Sequence, residues 1–186
     1  IRNPVERAAR DAARYLPWKL ARARWERAFY EDTTPPPRVV AQSEYIGREI
    51  LASFRIPADR VHVVHNAVDT SEFSPDRRRE LRARMRARWS IPGDAVCLLF
   101  LGHNFRLKGL WEVLGLFPSI AEGSPRAHLL VAGRGTGRYQ RWKANRLVAR
   151  LGLAGRVTFA GAVRPSLRAL AAADALLHLT WHDSFG

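Results

Sequence analysis

One short loop carries the first chemical signal. In "GHNFRLKG" (102–109) an apolar run ends at Gly102, Arg106 and Lys108 follow, and an apolar pattern of helical period begins after Gly109. Gly102 lets the backbone turn and lets a ligand approach closely. A helix starting there directs unpaired N–H groups at the same place, which favours an anion. Arg106 can give a forked pair of hydrogen bonds to phosphate oxygens, and Lys108 a point charge. The set suits a diphosphate that gains charge as it leaves. The bland alternative is a solvated basic loop, and composition alone does not separate the two.

Other loops offer less. "GRGTG" (133–137) follows an apolar run and precedes a helical pattern, but it is not G-x-G-x-x-G. No acidic residue follows about 20 residues later to take a ribose, as a dinucleotide fold requires. Gly133 and Gly135 are expected in a tight turn with positive φ, where backbone N–H groups could meet a ligand. His62, His65, His103, His128, His178 and His182 are scattered, and no helix brings a pair together as metal ligands. No metal and no cofactor is expected. The single cysteine, Cys97, lies inside "AVCLLFL", so it reads as a core thiol and excludes an internal disulfide.

The formal charge is +14 with a pI near 11.4, which calls for an anionic partner. Nearly all of the base is arginine; Lys19, Lys108 and Lys143 are the only lysines. Such a bias can reflect genome composition, so a lysine inside a glycine-bounded loop is more telling than the total. No apolar stretch approaches the roughly 20 residues of a membrane span. The chain starts at Ile1 and ends on "DSFG", and is read as a fragment cut at both ends.

The elements that must position these loops follow from periodicity. Residues 4–31 read as helix, broken near Pro17, with Trp18, Ala21, Trp25 and Phe29 on one side. That side would rest on anionic lipid or pack against further protein. Strands are expected at 38–43 and 61–65, with a helix capped by Ser43 between them. After a connection at 66–76 comes a basic helix, "RRRELRARMRARWS". From residue 95 the order is strand, helix, strand, helix, strand, helix, strand. The strands are continuous apolar runs, the mark of a parallel sheet covered on both faces. Ligands of such sheets bind outside the strands' carboxyl ends, so the loops after the strands should hold the site.

Several stretches then match one pattern. "VVAQSEYIGREILASFRIPADRVHVVHNAVDTSEFSP" resembles the segment joining the two domains of retaining GT-B glycosyltransferases of family 4, with Ser43, Ile56, Pro57, Val61, Asn66, Val68, Asp69, Phe73 and Pro75 in the family's places. Ala67 stands where glycine is common. "FLGHNFRLKG" resembles the family's first nucleotide-domain loop, in the short form of the lipopolysaccharide-core glucosyltransferase branch. "LLVAGRGTGRYQRWKANRLVARLGLAGRVTFAGAV" and "LRALAAADALLHLTWHDSFG" match later family motifs in order and spacing.

The resemblance implies a partial GT-B fold: residues 1–75 as the end of an acceptor-side Rossmann-like domain with its linker, and 76–186 as most of a nucleotide-sugar domain. It implies Gly102, Arg106 and Lys108 on the donor diphosphate, and the strand end Arg156 to Gly161, with Val157 and Phe159, meeting the nucleotide base through backbone groups. Asp183 takes the first position of the family's E-x7-E motif, with aspartate for glutamate, as the catalytic-site acid. Backbone N–H groups of Ser184, Phe185 and Gly186 would face sugar and phosphate.

The implied activity is metal-free transfer of a sugar, with retention, from a nucleotide-diphosphate donor to a cell-envelope glycan or glycolipid. The implied setting is cytoplasmic, with peripheral contact at the inner face of the membrane. As a fragment, the chain is expected to be inactive alone. Two rivals remain. Another Rossmann-like nucleotide enzyme would need the missing fingerprint. A basic nucleic-acid-binding protein would need aromatics interleaved with arginines on one surface, whereas most aromatics here fall at helix-core or strand positions.

Overall fold

The computed structural model describes residues 4–135 and 137–181, with side chains from residue 17 onward. The chain forms two compact units with the break between Ala67 and Val68.

In the first unit, α1 spans Pro4–Glu31, β1 Val39–Ala41, α2 Glu44–Ser53 and β2 Val61–Val63. The expected break at Pro17 does not occur: the helix runs through it. A proline removes one N–H from the ladder and crowds the preceding turn, and the helix continues on its remaining rungs. Ser43 caps α2 by accepting from the Ile46 N–H at 3.3 Å, as its position before the apolar pattern predicts. β1 and β2 pair in parallel, Val39 against Val61, with α2 as their crossover. Trp18, Trp25 and Phe29 of α1 stay exposed, Trp25 at 81%.

The second unit opens with a 3-10 turn, Thr70–Phe73, whose start is fixed by Asp69 accepting from the Ser71 N–H at 2.9 Å. α3 (Pro75–Arg88) follows, capped by Ser74 with Pro75 in its first turn. Then come β3 (Val96–Leu101), α4 (Leu110–Gly123), β4 (Ala127–Ala132), α5 (Arg138–Arg150), β5 (Val157–Gly161), α6 (Leu167–Ala172) and β6 (Ala175–Leu176). The sheet is parallel throughout, in the order β5-β4-β3-β6.

Period-two alternation sends buried residues to both faces. Phe100, Leu129 and Val131 meet Val113, Leu114 and Phe117 of α4 and Ala144 and Val148 of α5. Cys97, Leu99, Leu130 and Ala132 meet Met85 near the end of α3 and Ala169 and Ala172 of α6. Each fully buried Leu or Phe side chain contributes about 1.5–3 kcal/mol, so the unbroken apolar runs of β3 and β4 are the two-sided core itself. Burial pushes the Cys97 thiol up to about 11, consistent with an inert core residue.

β6 is shorter than the apolar run at 175–180 predicts. Leu177 still donates to the Leu99 carbonyl at 2.8 Å, but Trp181 donates to Leu107 instead of continuing a ladder. The chain there leaves the sheet for the loop after β3.

Candidate functional site

The strand order locates the site. β3, β4 and β5 step away in one direction, and the chain then crosses back to place β6 on the other side of β3. The carboxyl edge between β3 and β6 is therefore the switch point, the usual ligand position in an open parallel sheet. The two segments that flank it are 102–109 and 177–181.

The first is a built loop. Asn104 turns it, accepting from the Leu107 N–H at 3.2 Å through Oδ1 and from the Lys108 N–H at 2.8 Å through its carbonyl. Phe105 is fully buried, edge-on to Phe100 at 5.9 Å, and plugs the loop into the core. Gly109 begins α4 at φ +77°, where a Cβ would lie 1.8 Å from the Leu179 carbonyl oxygen, so only glycine fits between the two loops. Trp181 N–H and Thr180 Oγ1 both donate to the Leu107 carbonyl, at 3.0 and 3.1 Å, and Trp181 Nε1 donates to Glu112 Oε1 at 2.9 Å.

Gly102, Gly133 and Gly161 lie side by side just beyond or at the ends of β3, β4 and β5. Gly102 N–H donates to the Ala132 carbonyl at 3.0 Å, and Gly133 N–H to the Gly161 carbonyl at 2.7 Å. Gly133 has φ +139°, and a Cβ on it would sit 1.9 Å from the Gly102 oxygen. Gly135, at φ +70°, packs against the Phe105 ring. Gly133 and Gly135 thus have the positive φ expected of them, as does Gly137, the third glycine of the "GRGTG" loop.

Gly102 is a partial correction. Its open side is occupied by the Lys108 stem, whose Cβ would lie 2.9 Å from an added methyl, so its lack of a side chain seats Lys108 rather than leaving bare backbone. Lys108 is half-buried along this stem, while Arg106 is exposed. Arg106 lines a cleft of about 520 Å³ with Asn104, Leu107, Trp111, Glu112 and Trp181. The two cations belong to one loop; Arg106 lines this cleft, and the Lys108 stem covers Gly102.

Arg156 is a fuller correction. It precedes the amino end of β5, about 16 Å along the strand from Gly161, so its backbone stands at the opposite edge from the switch point. It donates instead to the Ala121 carbonyl at 3.1 Å, in the last turn of α4. Val157 sits at that same far end, paired with Leu129. Phe159 packs beneath α5 with the Arg141 guanidinium 4.5 Å from its ring centroid. Of that group, Gly161 alone reaches the carboxyl edge. Asp183, Ser184, Phe185 and Gly186 lie outside the described residues. Among the described residues no group of three or more His, Cys, Asp or Glu could hold a metal ion.

Phe105, Trp181 and Glu112 escaped the sequence reading. Phe105 had a weak signal, an aromatic ring alone in a polar loop. Trp181 and Glu112 had none, because their pairing spans 69 residues.

The chain has relatives. Residues 6–72 match the sequence model of Glycosyltransferase Family 4. A D-inositol 3-phosphate glycosyltransferase of Thermomonospora curvata is 33% identical over 160 residues, covering 80% of this chain and 37% of the relative. WaaG, a glycosyltransferase involved in lipopolysaccharide biosynthesis, superposes with a TM-score of 0.72 at 22% identity, over 87% of this chain and 43% of WaaG. Anabaena HepE, solved with UDP and glucose, superposes with a TM-score of 0.65 at 19% identity, over 80% of this chain and 39% of HepE. The chain thus carries part of a GT-B fold, and it spans 40% or less of the length of the curated relatives it matches.

Proposed function

We propose that this chain is the donor-binding part of a family 4 glycosyltransferase, which moves a sugar from a nucleotide-diphosphate donor to an acceptor. One observation carries the reading. The Lys108 stem lies across Gly102 at the switch point, and Gly102, Gly133 and Gly161 continue along the carboxyl ends of β3, β4 and β5. A diphosphate beside this loop would have Lys108 and Arg106 to take up the charge that develops on departure. HepE holding UDP and glucose on a similar fold supports a nucleotide-sugar donor.

The finer reading goes further. The whole enzyme would transfer a hexosyl group with retention and without a metal, to a glycan or glycolipid of the cell envelope. It would work in the cytoplasm, with peripheral contact at the inner face of the membrane. The exposed Trp18, Trp25 and Phe29 of α1 support a surface contact. Asp183 would be the acid near the donor sugar, and Ser184, Phe185 and Gly186 its backbone neighbours.

Thermal denaturation with a panel of nucleotides tests the donor. Nucleoside diphosphates should raise Tm of the chain, and nucleoside monophosphates at equal concentration should raise it less, because the second phosphate makes the Lys108 contact. Equal shifts from both would count against a diphosphate site.

A further inference from the structure

The loop after β4 and the first turns of α5 frame a second cationic cavity, which shares neither Arg106 nor Lys108 with the loop after β3. It holds about 540 Å³ and is lined by Arg134, Gly135, Gly137, Arg138, Arg141, Trp142 and Asn145. No acidic residue lines it. None occurs in the sequence between Glu122 and Asp174, although this stretch carries arginine throughout.

Three cations of α5 rest on rings. Arg141 lies over Phe159, Lys143 over Trp111 at 4.7 Å, and Arg146 over Trp142 at 5.4 Å. An aromatic face attracts a cation without neutralising it. Arg141 Nε is buried and has no hydrogen-bond partner among the described residues. A half-buried guanidinium held by a ring, short of one partner and without a counter-charge, is costly unless an anion completes it. Beside it Trp142 is 53% exposed and stacks on Tyr139 at 5.9 Å, which offers a flat surface next to the charge.

We infer that this cavity binds a phosphate group attached to a ring. Arg138 and Arg141, with Arg134, take the phosphate; Trp142 takes the ring face; Asn145 supplies a neutral donor and acceptor for ring hydroxyls or amides. The inference goes beyond the donor reading and stands without it, since it uses neither Arg106 nor Lys108.

The test is made in the whole chain carrying Arg106→Gln and Lys108→Gln, so that the switch-point loop does not contribute. Binding of UDP, of glucose 6-phosphate and of inorganic phosphate is measured by calorimetry at fixed ionic strength. The two ring-bearing probes should bind more tightly than inorganic phosphate, and the stronger of the two identifies the source. Adding Arg138→Gln with Arg141→Gln should weaken binding by about tenfold or more, as loss of charge-assisted contacts predicts. Arg84→Gln with Arg150→Gln removes the same charge elsewhere and should change it by less than about twofold, the small residue of a screened long-range field.

Arg138→Gln alone, at an exposed position, covers the case in which losing Arg141 from Phe159 unsettles the fold. Trp142→Ala should abolish the advantage of the ring-bearing probes over inorganic phosphate. The inference is overturned if no probe binds, if the two double variants weaken binding equally, or if Trp142→Ala leaves the ring preference intact.

Discussion

α3 and α5 are both arginine-rich helices of similar length, yet they treat their charge in opposite ways. In α3 three arginines, Arg78, Arg82 and Arg86, are consumed by structure. Arg78 donates to the Ala173 carbonyl at 2.8 Å, Arg82 reaches the same carbonyl and Asp174, and Arg86 donates to Ala172, Gly93 and Asp174 Oδ2. These bonds satisfy the end of α6 and bind it to α3. On the outer side Arg77 pairs with Glu80, and Arg79 with Asp76. In α5 Arg141, Lys143 and Arg146 sit on rings, and no acid is near in sequence. A formal charge of +14 therefore says little until each arginine's partner is known. The same residue type builds a clasp in one helix and leaves cationic surface in the other.

Asp174→Ala should have the largest effect. Arg86 is 6% exposed on its side chain, and losing Asp174 strands its charge. The expected loss is about 3 kcal/mol of unfolding free energy, read from urea denaturation. A change near zero would dissolve the clasp and, with it, the contrast between the helices.

Acid should reveal the same clasp. Partial burial pushes the Asp174 carboxyl up, but the Cys97 N–H and Arg82, with Arg86, outweigh it and hold it below the usual carboxylate range. Its folded value is thus below its unfolded value. The stability it contributes is present above the ordinary carboxylate range and is lost as pH falls from that range down through the lowered folded value. Asp174→Asn should flatten that part of the stability–pH curve; an unchanged acid limb would contradict the assignment.

His128 adds a second, milder descent at higher pH. It is 4% exposed and bonded to Thr158 Oγ1 at 3.0 Å, and burial, aided by Arg86, holds its imidazole below the ordinary range. Since Thr158 donates to the Trp89 carbonyl, its oxygen accepts from His128 Nε2–H, and protonating the other nitrogen is what costs. Stability should begin to fall as pH drops through the ordinary imidazole range, and His128→Gln should remove that onset.

The outer ends of the comparison are small. Lys143→Met, which removes a cation from the Trp111 ring, should cost about 0.5–1 kcal/mol. Arg79→Gln, at an exposed pair on α3, should stay within about 0.5 kcal/mol. Should Arg79→Gln cost as much as Lys143→Met, ring-borne and carboxylate-borne cations would not differ at the surface.

How much of this was legible depends on range in the sequence. The two-sided core of β3 and β4 was legible because burial on both faces writes an unbroken apolar run. The loop at 102–109 was legible because a glycine, two cations and a second glycine fall between a strand and a helix. The α3 clasp was not: Arg78, Arg82 and Arg86 look like Arg77 and Arg79 until Asp174, 88 residues from Arg86, takes its place. Arg156 misled for a related reason. It stands beside the strand motif in sequence but at the strand's far end in space. The passage of α1 through Pro17 shows that one missing rung need not end a helix.

The central claim is that the switch-point loop holds a donor diphosphate. Calorimetric titration of the chain with UDP tests it most directly, comparing Lys108→Ala with Arg79→Ala, which removes an equal charge from α3. Loss of a charge-assisted phosphate contact should cost about 1.5–3 kcal/mol, a weakening of about tenfold or more, for Lys108→Ala. Arg79→Ala should leave the affinity near that of the parent chain. Equal effects from the two substitutions, or UDP binding indifferent to both, would contradict it.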